Sequence, residues 1–135
     1  MAMDTKNRSA IREIVLRNDL TNRLLPLGYN VFLPVFDVGI DLIAHRESDG
    51  TLFLVQLKSR WSIDRKYLGR NIHLAFPDGD TWYLAPHDEM VSIAEGLGYT
   101  TSASWQERGQ YHAARPSAAF REAMSGFKLQ APAEA

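Results

Sequence analysis

The sequence predicts an α/β domain. An N-terminal helix leads into three consecutive strands that open a mixed or antiparallel sheet, followed by a helix, a further strand and C-terminal helices. Three observations predict this. Apolar residues recur at helical spacing over about residues 7–25. Two apolar runs then follow, at 40–44 and 51–58, joined by the turn former Ser48-Asp49-Gly50. Finally, 45% hydrophobic and 23% charged residues over a length of 135 is the composition of one folded domain with a core, not of a disordered chain.

The first helix is read from Ile11, Ile14, Val15, Leu16, Leu20, Leu24 and Leu25, with Asp4, Thr5 or Asn7 as its cap and Pro26 and Gly28 as its end. Residues 29–33 form the first strand, kept short or at an edge by Pro34. The hairpin over 37–58 supplies the second and third strands. Alternation places Leu52, Leu54, Gln56 and Lys58 on one face of the third strand and Phe53, Val55 and Leu57 on the other. Residues 65–68 begin a helix that Gly69 weakens, and 70–76 fit helix or strand. Pro77-Asp78-Gly79-Asp80 is a turn, and 81–85 the fourth strand. A helix starts near Pro86 with Asp88 and Glu89 suited to its positive end, and stops at Gly98. A short strand is read within 99–106, and a last helix over about 117–127 with Phe120, Met124 and Phe127 on one face. The expected domain covers 1–129, with 130–135 a frayed Ala/Pro-rich tail.

Composition narrows the function. A net charge of -1 excludes a surface that grips nucleic acid everywhere, so any such contact uses a local patch. With no cysteine there is no disulfide framework, thiolate zinc site or cysteine nucleophile. No apolar run approaches a membrane span, and MAMDTKNRSA lacks the apolar core of a signal peptide, so the expectation is a cytoplasmic protein.

The chemistry concentrates in the hairpin. Asp41 lies on one arm and Gln56 and Lys58 on the other, and facing side chains of paired strands stand about 5 Å apart. A carboxylate, an amide oxygen and a backbone carbonyl are hard ligands that suit Mg²⁺. A metal-bound water attacks phosphorus, and an adjacent ammonium positions it and offsets charge on the phosphate. The plainer alternative is an Asp41–Lys58 ion pair.

Gly39-Ile40-Asp41-Leu42-Ile43-Ala44 followed by Val55-Gln56-Leu57-Lys58-Ser59 resembles the PD-(D/E)xK nuclease superfamily, restriction-endonuclease-like in fold, and is most similar to its Mrr-like and Holliday-junction-resolvase-like branches. The resemblance covers about residues 8–60, including the first helix and LGYNVFLP. It implies a metal-dependent DNA endonuclease using Mg²⁺ or Mn²⁺, with Asp41 as central ligand, Gln56 in place of the commoner Glu, the Leu57 carbonyl as a further ligand and Lys58 as the catalytic lysine. The family often adds a carboxylate from the first helix. Glu13 is the candidate, with Asn18 and Asp19 as alternatives nearer Gly28. The resemblance also implies a homodimer, since two centres cut two strands.

Asp37 either joins this site or caps the turn before Gly39. Arg60, Arg65, Lys66 and Arg70 form the densest basic run, a phosphate-gripping patch beside the site or a solvated surface. Trp61 and Tyr67 stack on bases or pack, while Trp82, Tyr83 and Trp105 are core or dimer contacts. His73, His87 and His112 lack metal-ligand spacing and read as satisfied or surface histidines, while His45 follows the Asp41 strand and is a candidate to border the site. A binding module that keeps the fold without efficient catalysis is the alternative function.

Overall fold

The computed structural model describes residues 5–113 and 115–130. Helix α1 (Thr5–Leu24) ends in a 3₁₀ turn, Leu25–Leu27, closed by Gly28 at φ 91° with its N–H on the Leu25 carbonyl. Thr5 and Asn7 already lie inside the helix, and Asp4, the remaining capping candidate, lies outside the described residues. So does the expected frayed tail beyond Gln130.

Strands β1 (Asn30–Phe32), β2 (Leu42–Arg46), β3 (Thr51–Leu57), β5 (His73–Asp78) and β6 (Thr81–Pro86) form one sheet in the order β1-β2-β3-β5-β6. Only the β3–β5 pair among these is parallel. A parallel neighbour needs a crossover, and residues 58–72 supply it. Within it lie β4 (Trp61–Asp64) and a 3₁₀ turn, Arg65–Tyr67. Strand β4 leaves the main sheet and pairs antiparallel with β7 (Gln110–Ala113). Helices α2 (His87–Gly96) and α3 (Ala118–Met124) complete the fold, and Ser117 caps α3 by accepting the Phe120 N–H.

Alternation along the strands builds a core on each side of the sheet. Leu20 and Leu24 of α1 meet Leu42, Ala44, Val55, Ala75, Trp82 and Leu84 on one side. On the other side Leu74, Phe76, Tyr83 and Ala85 meet α2, α3 and β4 through Met90, Val91, Phe120, Met124 and Trp61. The resulting α/β architecture agrees with the expected fold class, and the ambiguous stretch 70–76 resolves as strand from His73 onward, where Leu74, Ala75 and Phe76 bury on both faces.

Four expectations change. The turn expected over 77–80 narrows to Gly79-Asp80, because β5 stays paired with β6 through Pro77 and Asp78. Residues 99–106 hold no strand. Tyr99–Thr101 is a 3₁₀ turn and Ser104–Arg108 a π-helical turn ending at Gly109, and the extra strand comes later, as β7. Strand β4 lies where no strand is expected. Finally, Ile11, Ile14 and Val15 stay exposed although they share the helical period of Leu20 and Leu24. A 20-residue helix is about 30 Å long, while the seven-residue β3 spans about 23 Å. The difference of about 7 Å covers about five residues, so length alone leaves only the start of α1 uncovered, and the exposure of Ile11, Ile14 and Val15 has no explanation in these lengths. Among the described residues no helix is long and apolar enough to cross a membrane.

Candidate active site at the end of β3

The site begins with a fault in the hairpin. Register pairs Leu42 with Val55, which brings Asp41 opposite Gln56. Yet the Asp41 N–H donates to the Val55 carbonyl at 2.8 Å, out of step with that register. Ile40 packs with the α2 side of the sheet and Leu42 with the α1 side. Residues two apart on a regular strand share a face, so alternation breaks at Asp41. Its carboxylate takes over from the interrupted ladder: Oδ2 accepts the Leu57 N–H at 2.6 Å.

Burial pushes the Asp41 carboxyl up to about 6; the Asp37 side chain and the Asp37 and Glu13 charges add to the rise, and the Leu57 N–H opposes it. Three acids from α1, the 33–41 loop and the start of β2 thus act on one another. Asp37 also caps its turn, with Oδ1 accepting the Gly39 N–H at 2.8 Å. The turn-capping reading of Asp37 therefore holds, and its side chain also acts on Asp41. Glu13 is exposed and lines a pocket of about 260 Å³ with Ser9, Arg12, Leu16, Leu57 and Ser59. Of the two alternatives for its place, Asp19 accepts the Trp82 indole N–H at 2.8 Å and lies 3.8 Å from Arg23, and Asn18 is exposed.

Gln56 is buried, 7% exposed, on the α2 side of the sheet. Its amide N–H donates to the Tyr67 hydroxyl. Its Oε1 is buried and unpartnered. An unsatisfied buried carbonyl is unfavourable by about 1–3 kcal/mol. Lys58 follows on the same face of the chain. Among the described residues its ammonium forms no hydrogen bond and no ion pair, which sets aside the Asp41–Lys58 pair. Lys58 lines a pocket of about 90 Å³ with Ser62, Ile63, Asp64, Lys66, Tyr67, Gln110 and His112. Among the described residues, no three His, Asp or Glu side chains gather as a metal-holding group.

Tyr67 ties the site together. It is buried, with its ring edge-on to His87, 5.7 Å between centroids, and with the Lys66 and Arg70 cations over it. It packs rather than offering a face to a base, and so does Trp61. Trp82, Tyr83 and Trp105 are core, not dimer contacts. His87 is buried and lowered in pKa by that burial. Its Nε2 accepts the Asp64 N–H at 3.1 Å, so Nδ1 carries the proton toward Asp88, 3.2 Å away.

The basic run divides. The Arg65 guanidinium donates to the Trp105 carbonyl at 2.7 Å, Arg70 donates to the Val38 carbonyl at 3.1 Å, and Lys66 lies 3.8 Å from Asp64. Arg60 is exposed and without a partner among the described residues. Arg70 thereby anchors the loop that carries Asp37. The sequence reading missed Tyr67 as the partner of Gln56, and the arrival of Ser62, Gln110 and His112 beside Lys58. No local pattern signals the latter, because β4 and β7 are about 50 residues apart.

No protein-family model matches the chain, and no curated protein matches it. Among solved structures the chain is similar to a bacterial homing endonuclease, I-Ssp6803I, with a TM-score of 0.54 over 95% of this chain and 88% of that one, at 18% identity. At that identity the likeness is one of fold, the α/β architecture built around the β2–β3 hairpin.

Proposed function

We propose that the protein is a metal-dependent DNA endonuclease of the PD-(D/E)xK type that hydrolyses phosphodiester bonds. One observation carries the reading: the Asp41 carboxyl, raised to about 6 by burial and by Asp37 and Glu13, is held by the Leu57 N–H at the end of the strand that carries Gln56 with its open oxygen, and Lys58, the next residue, is unpaired among the described residues. Such a set fits a divalent cation, Mg²⁺ or Mn²⁺, because it gathers hard oxygens and negative charge that nothing else neutralises. Asp41 and Gln56 would hold it, with the Leu57 carbonyl and Glu13 as further ligands. When bound, the cation supplies charge for a phosphate oxygen and lowers the pKa of a water.

The chain's own groups do the rest. The Lys58 ammonium donates hydrogen bonds to the attacking water and to the phosphate, where charge develops as water displaces the leaving oxygen. The Leu57 N–H keeps one Asp41 oxygen fixed, so the carboxylate presents the other. Arg60, Lys66 and the exposed parts of Arg65 and Arg70 meet the DNA backbone and set its position. The likeness to a homing endonuclease supports DNA as substrate. A homodimer accompanies this reading, since a symmetric pair brings two centres to two strands. Exposed Ile14, Val15, Val35 and Phe36 offer apolar surface for such an association.

The test is incubation of the protein with linear, nicked, branched and single-stranded DNA in Mg²⁺ and Mn²⁺, with Lys58→Ala as control. Cutting that needs the metal and vanishes in the variant is expected. The second reading is a nuclease-fold module that binds nucleic acid or a protein without efficient catalysis. Gln56 in place of a carboxylate, and the absence among the described residues of a three-acid metal group, favour it. No metal-dependent cutting of any substrate would decide for it.

A further inference from the structure

The chain leaves β3 between two pockets. Leu57 packs on the α1 side of the sheet, Lys58 lines the small pocket beside β4 and β7, and Ser59 returns to the α1 side. Alternation along an extended chain produces this order. On the α1 side, Leu57 and Ser59 close a pocket of about 260 Å³ with Ser9, Arg12, Glu13 and Leu16. Those four residues of α1 fall at offsets of three, four and seven from Ser9, so they share one face of the helix. Helix face and strand end build the pocket together.

Its chemistry is that of an anion site held in balance. Leu16 and Leu57 are half-buried and apolar, and the other four residues are exposed and polar. Among the described residues Arg12 forms no hydrogen bond and no ion pair, and the Ser9 and Ser59 hydroxyls are likewise unengaged. The fork of a guanidinium matches two oxygens of one phosphate, and each hydroxyl has a proton to donate. The apolar pair suits the sugar attached to that phosphate. Glu13 is the opposing charge. It cancels Arg12 within the pocket, and it also acts on the Asp41 carboxyl, so the pocket adjoins the candidate cation site. With the Glu13 charge offset, Arg12 is left uncompensated and the pocket attracts an anion.

We infer that this pocket is a second phosphate subsite, in which the Arg12 guanidinium and the Ser9 and Ser59 hydroxyls hold a backbone phosphate of nucleic acid next to the one being cut, and Glu13 opposes it until its own charge is offset. This rests on the reading of nucleic acid as the ligand. It adds α1 to a contact surface otherwise confined to the crossover after β3, and it makes Glu13 a brake on binding when no cation is present.

The test is binding of a short fluorescent DNA duplex to the full chain in a chelator, followed by anisotropy across a range of salt. Glu13→Gln removes the opposing charge and should tighten binding by about fivefold, the upper worth of one exposed charge pair. It should also steepen the fall of log affinity with log salt by about one, the signature of one more phosphate contact. Arg12→Ala in the Glu13→Gln chain should abolish both gains. Arg8→Ala in the same background is the control: Arg8 is exposed one turn earlier on α1 and outside the pocket, and the steepening should persist. All three changes stand at helical positions and introduce good helix formers, so the fold is kept. Unchanged affinity in Glu13→Gln, gains that survive Arg12→Ala, or equal losses from Arg8→Ala and Arg12→Ala would overturn the inference. No cutting enters these measurements. Arg12-dependent gains in a chain that never cuts DNA would sink only the cleavage reading, and metal-dependent cutting without those gains only this one.

Discussion

Asp41 ionises against its surroundings. Its carboxyl is pushed up to about 6, first by burial and then by Asp37 and Glu13. In the unfolded chain it titrates near 4, so folding takes up a proton between about pH 4 and pH 6. Stability from this group is full below that window, falls as pH rises through it, and stays low above. Asp41→Asn removes the charge and keeps an oxygen for the Leu57 N–H. The variant is expected to melt higher than the native protein at pH 7.5 and to match it near pH 4, in thermal unfolding followed across that range. Equal melting at both ends would mean that the acids do not strain the fold. This excess of negative charge was only half legible in the sequence. Asp41, Gln56 and Lys58 could be picked out because a carboxylate, an amide and an ammonium stand on otherwise apolar strands. Their different fates, with Gln56 on Tyr67 and Lys58 unpaired among the described residues, depend on a crossover that no local pattern encodes.

At the scale of elements, the 33–41 loop decides where Asp37 and Asp41 stand. Gly39 has φ 103°, and a Cβ there would meet Arg70 Nη1 and Tyr67 Cε1 at 3.4 Å. Arg70 holds the Val38 carbonyl from the other side of the same contact. Gly39→Ala is expected to lose about 1–2 kcal/mol of stability and to weaken Mn²⁺ binding and cutting beyond that, because the loop must shift. Gly50, with φ 72° and nothing within 4 Å of a Cβ, is the control: Gly50→Ala carries the backbone strain without the shift. Calorimetric metal titration of the two variants checks this, and equal metal affinity in both would remove the loop from the site. The β2–β3 hairpin itself was legible, since a period of two and a Ser-Asp-Gly turn are local signals. The β4–β7 ribbon was not. Each strand has four residues, and its pairing partner lies about 50 positions away.

For the whole molecule, a net charge of -1 requires that DNA binding, on the proposed function, use one small patch. Four cations, Arg60, Arg65, Lys66 and Arg70, lie on or near the crossover that follows β3, three of them with other contacts. With about four phosphates neutralised, the logarithm of affinity should fall against the logarithm of salt with a slope of about -3 to -4, measured by fluorescence anisotropy in a chelator. Arg60→Ala should reduce that slope by about one, and an unchanged slope would place the DNA elsewhere.

The α/β class, the helix that precedes the sheet, and the hairpin with its three out-of-place polar residues all follow from the sequence alone, because each rests on periodicity or turn chemistry within a dozen residues. Three things came only from tertiary packing. It left Ile11, Ile14 and Val15 exposed while Leu20 and Leu24, on the same helical period, meet the sheet, because only the second half of α1 lies against its apolar face. It broke the alternation at Asp41, so that a side chain rather than the backbone meets the Leu57 N–H. And it brought Ser62 and His112 to Lys58, because β4 leaves the main sheet for a partner that the chain reaches only near its end.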